Sequence, residues 1–127
     1  MLTFEQYDVK LIINLENGLY VLDVESGSGK TRLKKLLDEL NGYGEPVNSY
    51  TYRDYLNKEP IEKVLDSSKY KAIVIDRYDI YYPYGLDAIE KAASNMIVLV
   101  DCKKGLSVSG VKLALIDMEA HSMEVFT

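Results

Sequence analysis

Short apolar runs and one leucine-periodic segment divide this chain. Residues 1 to 8 carry no clear period. Val9 to Leu15 reads as a strand, and Glu16-Asn17-Gly18 is a turn signal. The pattern predicts an antiparallel hairpin into a second strand, Leu19-Tyr20-Val21-Leu22-Asp23-Val24. That hairpin would extend one side of a sheet or shield its edge. A glycine-containing loop, Glu25 to Thr31, leads at once into a helix. Its leucines, Leu33, Leu36, Leu37 and Leu40, recur at i, i+3, i+4 and i+7 and so share one face. Gly42 and Gly44 are helix stops.

Val47 to Tyr52 is β-prone, and a short helix near Pro60 to Leu65 has Ile61, Val64 and Leu65 on one face. Tyr70 to Asp76 contains Ala72-Ile73-Val74-Ile75, an apolar run without alternation, as suits a strand buried on both faces. A helix is expected over Leu86 to Ser94, after the Pro83-Tyr84-Gly85 break. Met96 to Val100 is a second buried strand, ending at Asp101. Lys103-Lys104-Gly105 and Ser107 to Gly110 read as loop. Val111 to Met118 is a strand, and Met123 to Phe126 pairs back on it as a closing hairpin. Strands alternating with helices predict one α/β domain over residues 1–127. The expected architecture is a three-layer sandwich with a largely parallel sheet and antiparallel edge hairpins. Ligands of such sheets bind beyond the carboxyl ends of the strands. That rule puts the glycine loop, Asp76 and Asp101 at one rim.

The chemistry suggested by the loop is phosphate binding. Glycines let backbone N–H groups approach an anion, and a helix N-terminus adds unpaired donors and partial positive charge. Ser26-Gly27-Ser28-Gly29-Lys30-Thr31, set between a strand and a helix, resembles the Walker A loop of P-loop nucleoside triphosphatases. The pattern G-x-x-x-x-G-K-[ST] falls on residues 24–31, with Val24 in place of the first glycine. Ile73-Val74-Ile75-Asp76 resembles Walker B. The resemblance spans roughly Leu19 to Asp101 and is to a small AAA- or RecA-like core with a P-loop-type sheet. It implies phosphate and nucleotide contacts from Ser26, Gly27, Ser28, Gly29, Lys30, Thr31 and Arg32. It implies Mg²⁺ held by Thr31 and Asp76, catalytic roles for Lys30 and Asp76, and ATP as the favoured nucleotide. On the residues alone, the loop also reads as a glycine turn capping a helix, and Asp76 as an acid that ends a strand.

Hydrolytic members of that superfamily place Glu after the Walker B acid; here Arg77 follows, and Asp79 is the next acid. Arg77 and Arg53 are candidate arginine fingers or ordinary surface residues. Asp101 stands where related ATPases carry a polar sensor, and it would repel phosphate unless a cation intervenes. No N-K-x-D motif argues for GTP.

Composition narrows the classes. Net charge is −5, from 20 acids and 15 bases, which argues against direct nucleic-acid binding. No apolar run approaches the roughly 20 residues of a membrane span. The N-terminus lacks the pattern of a signal peptide. The single cysteine, Cys102, suits a reducing cytoplasm and reads as a small apolar filler. His121 has no companion ligand and is expected to be exposed. Eleven tyrosines stand against two phenylalanines, and two groups follow predicted strands: Tyr50, Tyr52 and Tyr55, then Tyr78, Tyr81, Tyr82 and Tyr84. They serve either loop packing or a partner or base surface.

The leading expectation is a cytoplasmic Mg-nucleotide-binding P-loop protein with weak or partner-dependent ATP hydrolysis, acting with a protein partner or by self-association. A non-catalytic acidic binding protein on a P-loop-derived scaffold is the alternative. A small-molecule kinase is the third.

Overall fold

A computed structural model describes residues 1–6, 8–22, 28–103 and 111–127. Eight strands form one mixed sheet: β1 (Leu2–Gln6), β2 (Val9–Ile13), β3 (Gly18–Leu22), β4 (Val47–Tyr50), β5 (Ala72–Ile75), β6 (Ile97–Val100), β7 (Lys112–Met118) and β8 (Ser122–Phe126), in the order β1-β2-β8-β7-β3-β6-β5-β4. Among the described residues four helices accompany them: α1 (Ser28–Gly42), α2 (Tyr52–Leu56), α3 (Tyr78–Tyr81) and α4 (Leu86–Ala92). Strands β7, β3, β6, β5 and β4 pair in parallel, as do β2 and β8, whereas β1 with β2 and β7 with β8 are antiparallel.

Alternation within the central strands explains their continuous apolar runs. Tyr20, Leu22, Ala72, Val74, Ile97 and Leu99 face one cluster, which contains the leucines of α1. Val21, Ile73, Ile75, Val98 and Val100 face the other, with Ile61, Tyr78, Tyr81 and Ile89. A strand covered on both sides needs no polar alternation. Leu33, Leu36, Leu37 and Leu40 are all buried, as their spacing predicts; each such side chain contributes about 1.5–3 kcal/mol of burial.

Three expectations change. The hairpin through Glu16-Asn17-Gly18 does not form: β2 pairs with β1 and β8, and β3 lies between β6 and β7. Gly18 already donates its N–H to Met96 O (3.1 Å), so the segment enters the parallel ladder instead of closing a tight turn. β1 arises in residues that carry no sequence period, because its Phe4 joins the core and its ladder pairs with β2. Finally, Pro60 to Leu65 forms only a 3₁₀ turn, Ile61–Lys63. The short helices α2 and α3 occupy stretches read as connections; α2 is set by a capping box, Thr51 with Asp54. The β7–β8 hairpin pairs as predicted, with Met118 opposite Met123.

Gly85 fixes the entry to α4. Its φ is +70°, and an added Cβ would lie 2.6 Å from Ile61 Cγ2. Gly42, at the end of α1, has open space around it. Urea unfolding is therefore expected to show Gly85→Ala destabilised by at least ~1–3 kcal/mol. Gly42→Ala is expected to be neutral or stabilised by up to about 1 kcal/mol. Equal effects at the two positions would contradict this account of Gly85.

Candidate functional site

The site is built where the strand connections diverge. From β3 the chain runs through α1, on the first face, to β4 at the sheet edge; from β6 it passes to β7 on the other side of β3. Cys102 and Val111, at the two ends of that second connection, pack on the opposite face. Adjacent parallel strands whose connections leave in opposite directions open a crevice at their carboxyl ends.

Asp76 and Asp101 stand at that rim. Ile75 and Val100 are register partners, so the two acids follow at neighbouring positions, and Asp101 N–H donates to Ile75 O at 2.8 Å. The first two turns of α1 bring Lys30 and Lys34, four residues apart, onto them. Lys30 Nζ lies 2.9 Å from Asp101 Oδ1. Lys34 Nζ donates to Asp76 Oδ1 and, at 3.2 Å, to Asp101 Oδ2. Two ammonium groups thus meet two carboxylates, and Lys34 bridges the strand ends. Asp101 is buried, with its side chain 5% exposed; the Lys30 side chain is 14% exposed and does not extend into bulk water. Among the described residues no donor is aligned on Asp101 Oδ1, so its contact with Lys30 is Coulombic without hydrogen-bond direction.

This environment splits the two acids. Burial alone would raise Asp101, but Lys30 and Lys34 outweigh it and hold its carboxyl below the usual value. Asp76 is pushed up, by burial first and by Asp101 as a neighbouring negative charge, with Lys34 only partly offsetting both. Burial would lower Lys34, yet Asp76 and then Asp101 raise it.

Other predicted residues take different places. Ser26 and Gly27, with Val24, lie outside the described residues; Ser28 begins α1. Gly29 is buried, and an added Cβ would sit 3.2 Å from Ile116 Cγ2, so α1 packs closely on β7 at this position. Thr31 and Arg32 are exposed. They line a cavity of about 560 Å³ with Val9, Lys35, Leu36, Glu39 and Met118, apart from Asp76. Arg53 is exposed on α2. Arg77 is in the left-handed region (φ 50°) and is held by Asp79 through two bonds of 3.1 and 3.0 Å. That pairing, ahead of the opposing effect of burial, lowers the Asp79 carboxyl. Cys102 is buried and its thiol is pushed up to about 11, chiefly by burial, in keeping with a filler. His121 is exposed.

The tyrosines pack on one another beside the rim. Tyr55 stacks on Tyr81 with centroids 4.8 Å apart, and Tyr78 meets Tyr81 edge-on at 5.4 Å. The Tyr81 hydroxyl donates to Asp76 O (2.6 Å), and that of Tyr78 to Tyr84 O (2.7 Å). Burial raises both phenols, so they stay protonated donors. Tyr81 thereby ties α3 to the strand end that carries Asp76.

A Mg²⁺ ion shared by Thr31 and Asp76, as the Walker resemblance implies, fits these residues poorly. The ion takes oxygen ligands at about 2.0–2.1 Å in near-octahedral geometry. Lys34 already engages Asp76 Oδ1 and Asp101 Oδ2, and Thr31 opens into the separate cavity. Lys34 was not singled out by sequence; its signal was the i, i+4 spacing from Lys30 opposite two rim acids.

Comparison with protein-family models, with curated proteins and with solved structures returns no match to this chain.

Asp101 neutralises two ammoniums whereas Asp76 shares one. Asp101→Asn is therefore expected to cost about 2–4 kcal/mol at pH 7, and Asp76→Asn distinctly less. The pH dependence follows with opposite signs. Asp101, lowered on folding, contributes stability that is present above about pH 4 and lost as pH falls below it. Asp76, raised on folding, opposes folding once ionised and recovers on protonation. Urea midpoints across pH 2 to 7 should show a shallower acid limb in Asp101→Asn and a steeper one in Asp76→Asn. The reverse ranking would contradict these assignments.

Proposed function

We propose that this chain is a small P-loop-type protein that binds a nucleoside triphosphate, ATP favoured, with weak or partner-dependent hydrolysis. On this reading the sheet is of the P-loop type, with α1 on one face and α2, α3 and α4 on the other. The observation that carries the reading is Lys30. Its largely shielded ammonium sits on the first turn of a helix, against Asp101 at the end of a parallel strand. Backbone donors at that helix end and the Lys30 charge suit an anion of high charge density. A bound phosphate would take over Lys30 from Asp101, so binding exchanges one anionic partner for another.

The same surroundings account for weak hydrolysis. A general base must reach the attacking water with a free lone pair. Both oxygens of Asp79 are engaged by Arg77, and Lys34 holds Asp76 through its Oδ1. The alternative, a non-catalytic binding protein on this scaffold, is favoured by the mutual pairing of Lys30, Lys34, Asp76 and Asp101, which leaves Lys30 and Lys34 already engaged.

Thermal unfolding with ATP, GTP and ADP separates the two. Ligand at about 100 times Kd stabilises the native state by about 2.7 kcal/mol. A saturable rise in Tm that Lys30→Ala abolishes is expected. An unchanged Tm at millimolar nucleotide would leave the non-catalytic binder standing.

A further inference from the structure

Asp76 and Asp101 present the problem that a bound divalent cation solves elsewhere: two carboxylates at adjacent strand ends, one of them buried. In this chain the neutralising cation is a side chain, held to the site by non-covalent pairs. Lys34 reaches from the second turn of α1 and donates to one oxygen of each acid, Asp76 Oδ1 and Asp101 Oδ2. Its side chain is 22% exposed, and the Asp76 and Asp101 side chains are 20% and 5% exposed, so the bridge is largely withdrawn from water. Lys30 neutralises the remaining oxygen, Asp101 Oδ1. An oxygen engaged by an ammonium is a poor ligand for a second, doubly charged cation, because the two positive charges would share one few-ångström space of reduced screening. We infer that the Lys34 ammonium is a tethered counter-cation standing in for a divalent metal. The anion site on α1 then works without metal, and removing Lys34 exposes a divalent-cation site made of Asp76 and Asp101.

The first test needs no nucleotide, so it is independent of the function proposed above. The purified 127-residue chain is titrated with Mn²⁺ alone, with bound ion read by electron paramagnetic resonance and stability by Tm. Wild type is expected to bind no stoichiometric Mn²⁺ at about 1 mM, with Tm unchanged. Lys34→Met is expected to lose stability without metal, to bind one Mn²⁺ per chain at least ~10-fold more tightly than wild type, and to regain Tm. Adding Asp76→Asn to Lys34→Met should abolish the uptake. One tightly bound Mn²⁺ in wild type, or none in folded Lys34→Met, would overturn the inference. Lys34→Gln replaces Lys34→Met should the latter fail to fold; if neither folds, wild type alone decides by the same criterion.

The second test rests on the nucleotide reading. ATP in excess EDTA should raise the wild-type Tm with an apparent Kd within ~3-fold of that in Mg²⁺. An absolute Mg²⁺ requirement overturns the inference. No shift in either buffer defeats the nucleotide reading, while the Mn²⁺ experiment still decides the role of Lys34.

Discussion

The rim of this sheet depends on neutralising two carboxylates that the strand register forces together. Asp76 and Asp101 follow the paired residues Ile75 and Val100, so their proximity is fixed by the ladder and not by side-chain choice. Two like charges at that spacing, one nearly withdrawn from water, would disfavour the fold unless cations met them. Lys30 and Lys34 supply those cations from successive turns of one helix. The arrangement therefore binds α1 to β5 and β6 by charge as well as by its leucines. It also holds the Asp101 carboxyl down and the Lys34 ammonium up against burial, while burial pushes Asp76 up.

Around this centre, packing fixes what the charges alone cannot. The leucines of α1 cover one face of the central strands, and Gly29 lets the helix start approach Ile116 on β7. On the other face the stacked tyrosines knit α2 to α3, and Tyr81 donates to the backbone carbonyl of Asp76. Arg77, in a left-handed conformation directly after Asp76, turns the chain into α3 and is held there by Asp79. Asp76 is thus constrained through its side chain by Lys34, through its carbonyl by Tyr81 and through its N–H by Tyr50 O. A site held from three directions is pre-organised, which lowers the reorganisation needed on binding.

Tightness carries a functional consequence. An ammonium that already has a carboxylate partner binds a new anion only by exchange, so affinity is reduced by the strength of the pair it gives up. In return, the two acids and two lysines described at the rim balance one another. On the function proposed above, that exchange would make the response to ligand conditional, and it gives Lys34 a place in the charge balance of the rim.

Much of this was legible in the residues. The leucine period gave α1 its buried face, the unalternated runs at Ala72–Ile75 and Ile97–Val100 marked strands covered on both sides, and Asp76 and Asp101 were placed at one rim by the rule for parallel sheets. These are local or periodic signals, and they survive because burial acts on each residue where it stands. What the tertiary structure decided were the long-range choices. β2 took β8 from the far end of the chain instead of closing a hairpin onto β3, Phe4 drew an unpatterned N-terminal segment into the sheet, and Lys34 came to lie between the acids. Strand partners and ion pairs are settled by competition among distant segments for the same hydrogen bonds and the same counter-charge. No local window of sequence contains that competition.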